Sequence, residues 1–278
     1  MELFRTLGEF HAARERFTRP LAFVPTMGNL HAGHLRLIDY ARAHARAVAV
    51  SIYVNPLQFG PNEDLDAYPR TPEHDLQALR QANVDYVFMP GDRDLYPHGP
   101  LAHTRVEVPG LSDILCGAVR PGHFSGVATV VCRLLHLFSP EIAVFGKKDY
   151  QQLLVVRRMV EDLAIAVDIA GVATERAPDG LALSSRNAYL SDEDRRRAQG
   201  LYLALCNAAS AITAGSAIEE VEAGGLAALR RHGLVPDYFA VRRCHDLAPP
   251  RADDSALIVL AAVRVGRTRL IDNVELNR

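Results

Sequence analysis

Two histidines, His31 and His34, stand three residues apart in a segment, Thr26–His34, that also carries Gly28 and Gly33. Imidazoles at this spacing share one face of a helix. Both can donate hydrogen bonds to polyphosphate oxygens, and to the negative charge that builds up when a phosphorus is attacked. A helix N-terminus adds unpaired N–H groups and partial positive charge, which suit phosphate. The two glycines allow a nucleotide close to the backbone. A metal pair is a competing reading, but the motif supplies no third ligand. Two incidental histidines are the other.

A second cluster lies far downstream, at Leu183-Ser184-Ser185-Arg186-Asn187. It places two hydroxyls and a guanidinium in a loop just after Gly180, a second set of phosphate donors. The same residues also read as a serine-rich turn leading into a helix near Asp192.

The elements that must position these groups follow from the apolar pattern. Leu21–Thr26 is a short apolar run ended by Pro25 and Gly28, a buried strand and turn. A helical stretch with Leu35, Ile38 and Ala41 on one face comes next, then Ala47–Val54, a β-branched strand. That is a βαβ unit and implies a parallel sheet. The pattern continues with a helix over Pro72–Gln81, a strand over Val84–Met89, a helix over Gly126–Phe138 and a strand over Glu141–Phe145. A helix over Asp149–Asp162 and a strand over Ala164–Val172 complete it. Such alternation predicts a Rossmann-like, doubly wound α/β sheet with helices on both faces. In open sheets of this kind ligands bind beyond the carboxyl ends of the strands.

The last third predicts a smaller α+β domain. Asp192–Arg230 is helical with a break at Thr213–Ser216. Strands follow at Asp237–Arg242, Ala256–Val265 and Thr268–Asn273, the last two joined as a hairpin through Gly266-Arg267. The boundary falls near Arg176, giving domains 1–175 and 176–278.

Composition narrows the classes. The 278 residues are 49% hydrophobic and 23% charged, with a formal net charge of −2, so no nucleic-acid footprint is expected. Cys116, Cys132, Cys206 and Cys244 form no close pair and read as buried free thiols of a reducing cytoplasm. The N-terminus lacks the uninterrupted apolar core of a signal peptide, and no stretch is long and apolar enough to span a membrane. A soluble cytoplasmic protein is expected.

His-Ala-Gly-His at 31–34 resembles the "HIGH" motif of the nucleotidyltransferase superfamily, and the serine loop resembles its "KMSKS" loop. Five longer segments are more specific: PTMGNLHAGH at Pro25–His34, VNPLQFGPNEDLDAYPRT at Val54–Thr71, RPGHFSGVATVV at Arg120–Val131, FGKKDYQQ at Phe145–Gln152 and DGLALSSRNAYLS at Asp179–Ser191. Together they resemble the pantothenate synthetase (pantoate–β-alanine ligase) family in order and spacing, over most of the first 190 residues.

The resemblance implies an ATP-dependent ligase that forms pantoyl adenylate and pyrophosphate, then joins the acyl group to β-alanine and releases AMP. Its substrates are ATP, pantoate and β-alanine, with Mg²⁺ accompanying ATP, and a homodimer is the family's usual state. It assigns Met27, Gly28, Asn29, Leu30, His31, Ala32, Gly33 and His34 to the ATP loop, His34 being the transition-state donor. Gly146, Lys147, Lys148 and Asp149 grip phosphate and ribose, Lys148 meeting phosphate and Asp149 the ribose hydroxyls. Glu175, Leu183, Ser184, Ser185 and Arg186 complete the nucleotide site, the last three closing on the phosphates. Gln58 and Gln152 bind the pantoate hydroxyls, for which an amide both donates and accepts. Arg120 and His123 lie at the mouth of the site.

Three positions depart from the family pattern: Lys147 replaces a usual Glu, Leu183 a frequent Met, and Glu175 a common Val. None removes a group the chemistry requires. A cytidylyl- or adenylyltransferase would share the HxGH motif without needing Gln58 and Gln152. A regulatory or RNA-binding relative would not need both histidines, Lys148 and the serine loop.

Overall fold

The computed structural model describes every residue except Asn62 and Leu101. Asn62 falls in the Val54–Thr71 motif and so lies outside the described residues. The chain divides into two compact units: Met1–Lys147 with Gln152–Ala173, and Lys148–Gln151 with Thr174–Arg278.

The first unit runs β1 (Glu2–Phe4), α1 (Leu7–Arg14), β2 (Leu21–Thr26), α2 (Ala32–His44), β3 (Ala47–Ile52), α3 (Pro72–Gln81) and β4 (Tyr86–Phe88). The short helices α4 (Asp92–Leu95) and α5 (Cys116–Val119) follow, then α6 (His123–Phe138), β5 (Ile142–Gly146), α7 (Tyr150–Asp162) and β6 (Asp168–Val172). All pairings are parallel and the strand order is β1-β4-β3-β2-β5-β6. The sheet is therefore doubly wound, as expected. The chain steps outward from β2 to β4, then returns to the other side for β5 and β6. The order reverses beside β2, the switch point where such sheets bind ligands.

Local pairing opens that point. β2 pairs with β3 along its whole length, Leu21–Thr26, but with β5 only at Ala22 and Phe23. Pro25, which has no N–H to give a ladder, sits just past the β5 pairing. Side chains alternate across the sheet. Ala22 and Val24 join Ile38, Val48, Val50 and Leu79 in one core. Phe23 points the other way and stacks on Phe138 of α6, ring centroids 4.3 Å apart.

Two strands are shorter than their apolar runs. Asn83 and Ala164 adopt left-handed backbone, φ 53° and 49°. Val84 then donates to the Leu79 carbonyl and Ile165 to that of Val160. These left-handed closures spend the first residues of each run on ending a helix. β1 and α1 add to the expected elements, and so do α4 and α5.

The second unit carries α8 (Asp192–Thr213), α9 (Ile218–Arg231) and the antiparallel strands β7 (Val235–Arg243), β8 (Ala256–Val265) and β9 (Thr268–Asn277), in order β7-β8-β9. The expected hairpin turns at Gly266-Arg267. Leu257, Val259, Ala261 and Val263 of β8 present one face to Leu201, Leu205 and Leu229 of the helices. All four cysteines are free, but only Cys116 is buried, a correction to the expectation that all four are.

Candidate active site

The loop after β2 is shaped from behind. Gly28 and Asn29 take left-handed backbone, φ 81° and 49°. A Cβ on Gly28 would lie 3.0 Å from Asp75 Oδ2 and 3.1 Å from Ile52 Cγ2, so glycine fits where other residues crowd. Asp75, on the first turn of α3 and only 1% exposed, faces this loop. Its Oδ2 accepts from the Asn29 N–H at 2.9 Å and its Oδ1 from the Leu30 N–H at 2.8 Å. The Thr71 hydroxyl donates to Oδ1 at 3.1 Å.

His31 is not on the helix beside His34, which corrects the expectation of one shared helical face. It is the N-cap of α2, with extended backbone, and His34 is the third helical residue. His31 Nδ1 accepts from the Gly33 N–H at 3.1 Å, and His34 Nδ1 accepts from the His31 N–H at 3.3 Å. The pair is a capping box built from imidazoles. Because both Nδ1 atoms accept, each neutral ring carries its proton on Nε2. The rings stand 4.1 Å apart between centroids.

A second correction follows. The N–H groups of Asn29, Leu30, His31 and Gly33 all reach side-chain acceptors within the protein. The N–H of Gly28 goes to Thr26 Oγ1, and that of His34 to the His31 carbonyl. These six N–H groups of the loop and helix start are therefore already taken up within the protein and do not form an open cradle.

Gln58 is set by a buried network. Asn55, 1% exposed, uses its whole amide. Its Oδ1 accepts from the Tyr96 hydroxyl at 2.9 Å and the Leu57 N–H at 3.3 Å. Its Nδ2 donates to the Gly126 carbonyl at 3.1 Å and to Gln58 Oε1 at 3.2 Å. Burial pushes the Tyr96 phenol far above its usual value and keeps it a donor. Gln58 Nε2 then rests on Met27 Sδ at 3.0 Å, a weak acceptor that a hydroxyl can displace. A Cβ on Gly126 would meet the Leu57 carbonyl oxygen at 2.3 Å, so α6 can close on this segment only through glycine.

Arg120 and His123 hold the backbone of the same residue. His123 Nδ1 donates to the Gln58 carbonyl at 2.7 Å while its Nε2 accepts from Arg120 at 3.0 Å. Arg120 Nε donates to Glu63 Oε1 at 2.6 Å. Burial raises the Glu63 carboxyl, and the bond and charge of Arg120 outweigh this and leave it below its usual value.

The first unit also ends β5 at Gly146 and supplies Lys147 and, on α7, Gln152. Lys148 and Asp149 fall in the second unit, Lys148 Nζ lying 4.0 Å from Asp149 Oδ1. The Lys148 carbonyl accepts from Asn273 Nδ2 at 2.9 Å, and the Tyr150 hydroxyl donates to the Cys244 carbonyl at 3.1 Å. In the serine loop, Ser184 caps the 3₁₀ turn Ser185–Tyr189 by accepting from the Arg186 N–H at 3.3 Å. Asn187 Nδ2 donates to the Ala182 carbonyl at 3.0 Å, and the Leu183 N–H to the Glu175 carbonyl at 2.9 Å. Arg176 roots the loop: its guanidinium grips buried Asp272 at 2.6 and 2.9 Å and lies 3.7 Å over the Tyr202 ring.

Residues 2–275 match the family model described as Pantoate-beta-alanine ligase. The chain belongs to the pantoate–β-alanine ligase family. It is 55% identical over 274 residues to pantothenate synthetase of Methylococcus capsulatus, a match covering 98% of this chain and 94% of that one. The solved pantothenate synthetase of Thermus thermophilus superposes with a TM-score of 0.94 at 47% identity, covering 100% of both chains. The pantoate–β-alanine ligase of Francisella tularensis, solved in complex with "Beta-gamma ATP" and β-alanine, gives 0.83 at 35% identity, covering 99% and 97%. As a member of this ligase family the chain is an enzyme of pantothenate biosynthesis. Among the described residues, no helix is long and apolar enough to cross a membrane.

The candidate site contains residues that the sequence pattern does not single out. Asn55 lies inside a motif read for Gln58, yet two of its four bonds depend on Tyr96 and Gly126, which only the fold brings near. Asp75 reads in sequence as an ordinary acidic residue of a first helical turn. No spacing signal ties it to Asn29, 46 residues earlier.

Proposed function

We propose that the chain condenses pantoate with β-alanine in two steps driven by ATP. A pantoate carboxylate oxygen attacks the α-phosphorus, and the bond to pyrophosphate breaks. The β-alanine amine then attacks the acyl carbon of pantoyl adenylate, an amide bond forms, and AMP leaves with the carboxylate oxygen. The observation that carries this reading is the imidazole capping box. It aims two Nε2–H donors from one loop, the arrangement needed where charge grows on a phosphate under attack.

In this reading Met27, Gly28, Leu30, Ala32 and Gly33 wall the nucleotide beside His31 and His34. Gly146, Lys147, Lys148, Asp149 and Glu175 serve its phosphates and sugar, and Leu183, Ser184, Ser185 and Arg186 close over it. Residues up to about Arg176 bind ATP and pantoate, and the remainder acts as a lid. Gln58 and Gln152 take the pantoate hydroxyls, with Arg120 and His123 supporting Gln58 from its backbone side. We place the enzyme in the cytoplasm as a homodimer.

Mg²⁺ belongs to this reading as a companion of ATP. Among the described residues, no three His, Cys, Asp or Glu side chains gather as a metal cage. Asp75 already accepts from the Asn29 and Leu30 N–H groups and the Thr71 hydroxyl. This donor set fits an ion that is carried in on the polyphosphate and keeps its waters. No step here depends on its placement.

The test is exchange of labelled pyrophosphate into ATP with pantoate present and β-alanine absent. Exchange that requires pantoate, with AMP as the product of the full reaction, is the expected result. ADP without exchange would mean a pantoyl phosphate route and would overturn the adenylate. Use of CTP in place of ATP would point to a cytidylyltransferase.

A further inference from the structure

We propose that Asp75 is a positioning residue for nucleotide, the group that fixes where the two imidazoles point. This rests on the reading that Gly28–His34 receives ATP.

Asp75 acts one and two residues upstream of His31, where its carboxylate takes the Leu30 and Asn29 N–H groups at 2.8 and 2.9 Å. Those bonds set the left-handed turn at Gly28 and Asn29 from which the chain emerges extended at His31. The N-cap geometry of His31, and through it the hydrogen bond to His34, inherits its direction from that turn.

The surroundings are built for a carboxylate at this point. Asp75 is 1% exposed, and burying an ionised group without partners is strongly unfavourable. Three donors meet it instead, the third being the Thr71 hydroxyl at 3.1 Å. Thr71 is the N-cap of α3, yet its side chain makes no capping bond. Its hydroxyl faces Asp75 and, at 3.5 Å, Asn29 Oδ1 instead. Gly28 leaves the clearance, since any Cβ there would press on Asp75 Oδ2 at 3.0 Å. A negative charge behind a loop that must receive a polyanion weakens anion binding on electrostatic grounds alone. What it supplies is rigidity of the donor pair.

An amide has one acceptor oxygen and would turn an NH₂ toward the second loop N–H. Asp75→Asn is therefore expected to raise the ATP KM or lower kcat by about 10-fold or more, the scale of one unsatisfied buried donor. The pantoate KM should stay within about 2-fold, because the Asn55–Gln58 network does not touch Asp75. Thr71→Val, which removes the third donor to Asp75 and a longer contact of the same hydroxyl with Asn29 Oδ1 at 3.5 Å, should move the ATP parameters in the same direction by about 2- to 5-fold. It decides the matter if Asp75→Asn does not fold. An unchanged enzyme, or equal changes toward ATP and pantoate, would reduce Asp75 to a folding residue and overturn the proposal. His34→Ala in the same assay separates the two levels. If it too leaves ATP use intact, the ATP-loop reading itself has failed. If it abolishes turnover while Asp75→Asn and Thr71→Val change nothing, only the role of Asp75 falls.

Discussion

The Gly28–His34 loop and the Ser184–Tyr189 loop carry the two sets of candidate phosphate donors, but they are held in different ways. The first is pinned by a buried carboxylate 45 residues away in sequence, and its neighbour Gln58 by an amide tied to Tyr96 and Gly126. The second is shaped by local bonds. Ser184 caps Arg186, and Asn187 reaches back five residues to the Ala182 carbonyl. Its long-range fastening lies at its root, in the Arg176–Asp272 pair. Long-range buried bonds yield only when the surrounding core yields. Local turns can open alone. On the proposed reading the first loop is a fixed donor platform, and the second is expected to reorganise around a nucleotide.

The sharpest way to break this contrast is to delete one donor from each loop. His34→Ala should cost about 10²-fold or more in turnover, the scale for a positioned transition-state donor. Ser184→Ala, which removes a cap from a local turn, should cost only about 5- to 10-fold. Steady-state kinetics on both would refute the distinction if the losses were equal.

The pantoate side offers a second cut. Gln58→Ala should raise the pantoate KM by about 10-fold, because a hydroxyl loses its buried partner. The ATP KM should change far less. Parallel increases for both substrates would mean that the network shapes the unit as a whole and not one substrate's wall.

Hydrogen exchange tests rigidity directly. Amides of Asn29 and Leu30 should already be protected without nucleotide, since both are bonded to Asp75. Across Asp179–Asn187, ATP should slow exchange by about 10-fold or more. A serine loop indifferent to ATP, or a first loop that gains as much protection, would erase the difference.

The smallest expected effect concerns charge. Glu63 titrates below its usual value in the folded protein, so its pairing with Arg120 stabilises the protein above the unfolded carboxyl range and is lost as acid protonates it. Both side chains are partly exposed, 25% and 15%, which limits the effect to about 1 kcal/mol or less. Denaturant melts of Glu63→Gln against the parent should differ slightly at pH 7 and converge as pH falls below about 4. A gap that widens in acid would reverse the assignment.

Much of this was legible from residue order, for physical reasons. β2 and β3 are buried on both faces, so they read as unbroken apolar runs, and α3 appears from Pro72 to Gln81 as its pattern predicts. The Thr6–Glu9 capping box before α1 was a readable signal, yet β1 is three residues long and α1 buries only Phe10 and Ala13. The histidines announced themselves by type and spacing. Their capping role did not, because N-caps are ordinarily Ser, Thr, Asp or Asn and a ring nitrogen gives no such cue. Asp75 and Asn55 were hidden for another reason: each acts on backbone or amide groups that only the folded sheet brings close.

The tether at Lys148–Gln151 bears on how far the protein can be divided. A fragment ending at Ala173 would retain all six parallel strands and the imidazole pair. It would lose Asn273, which holds the Lys148 carbonyl, and Cys244 and Glu275, which receive the Tyr150 hydroxyl. Tyr150, only 5% exposed in the whole chain, would be stripped at the start of α7. The four residues Lys148–Gln151 thus pack with the C-terminal unit although they lie within the chain of the first. A split-gene version would need the cut placed elsewhere, or the C-terminal strands returned in trans, before Lys148 regained its place.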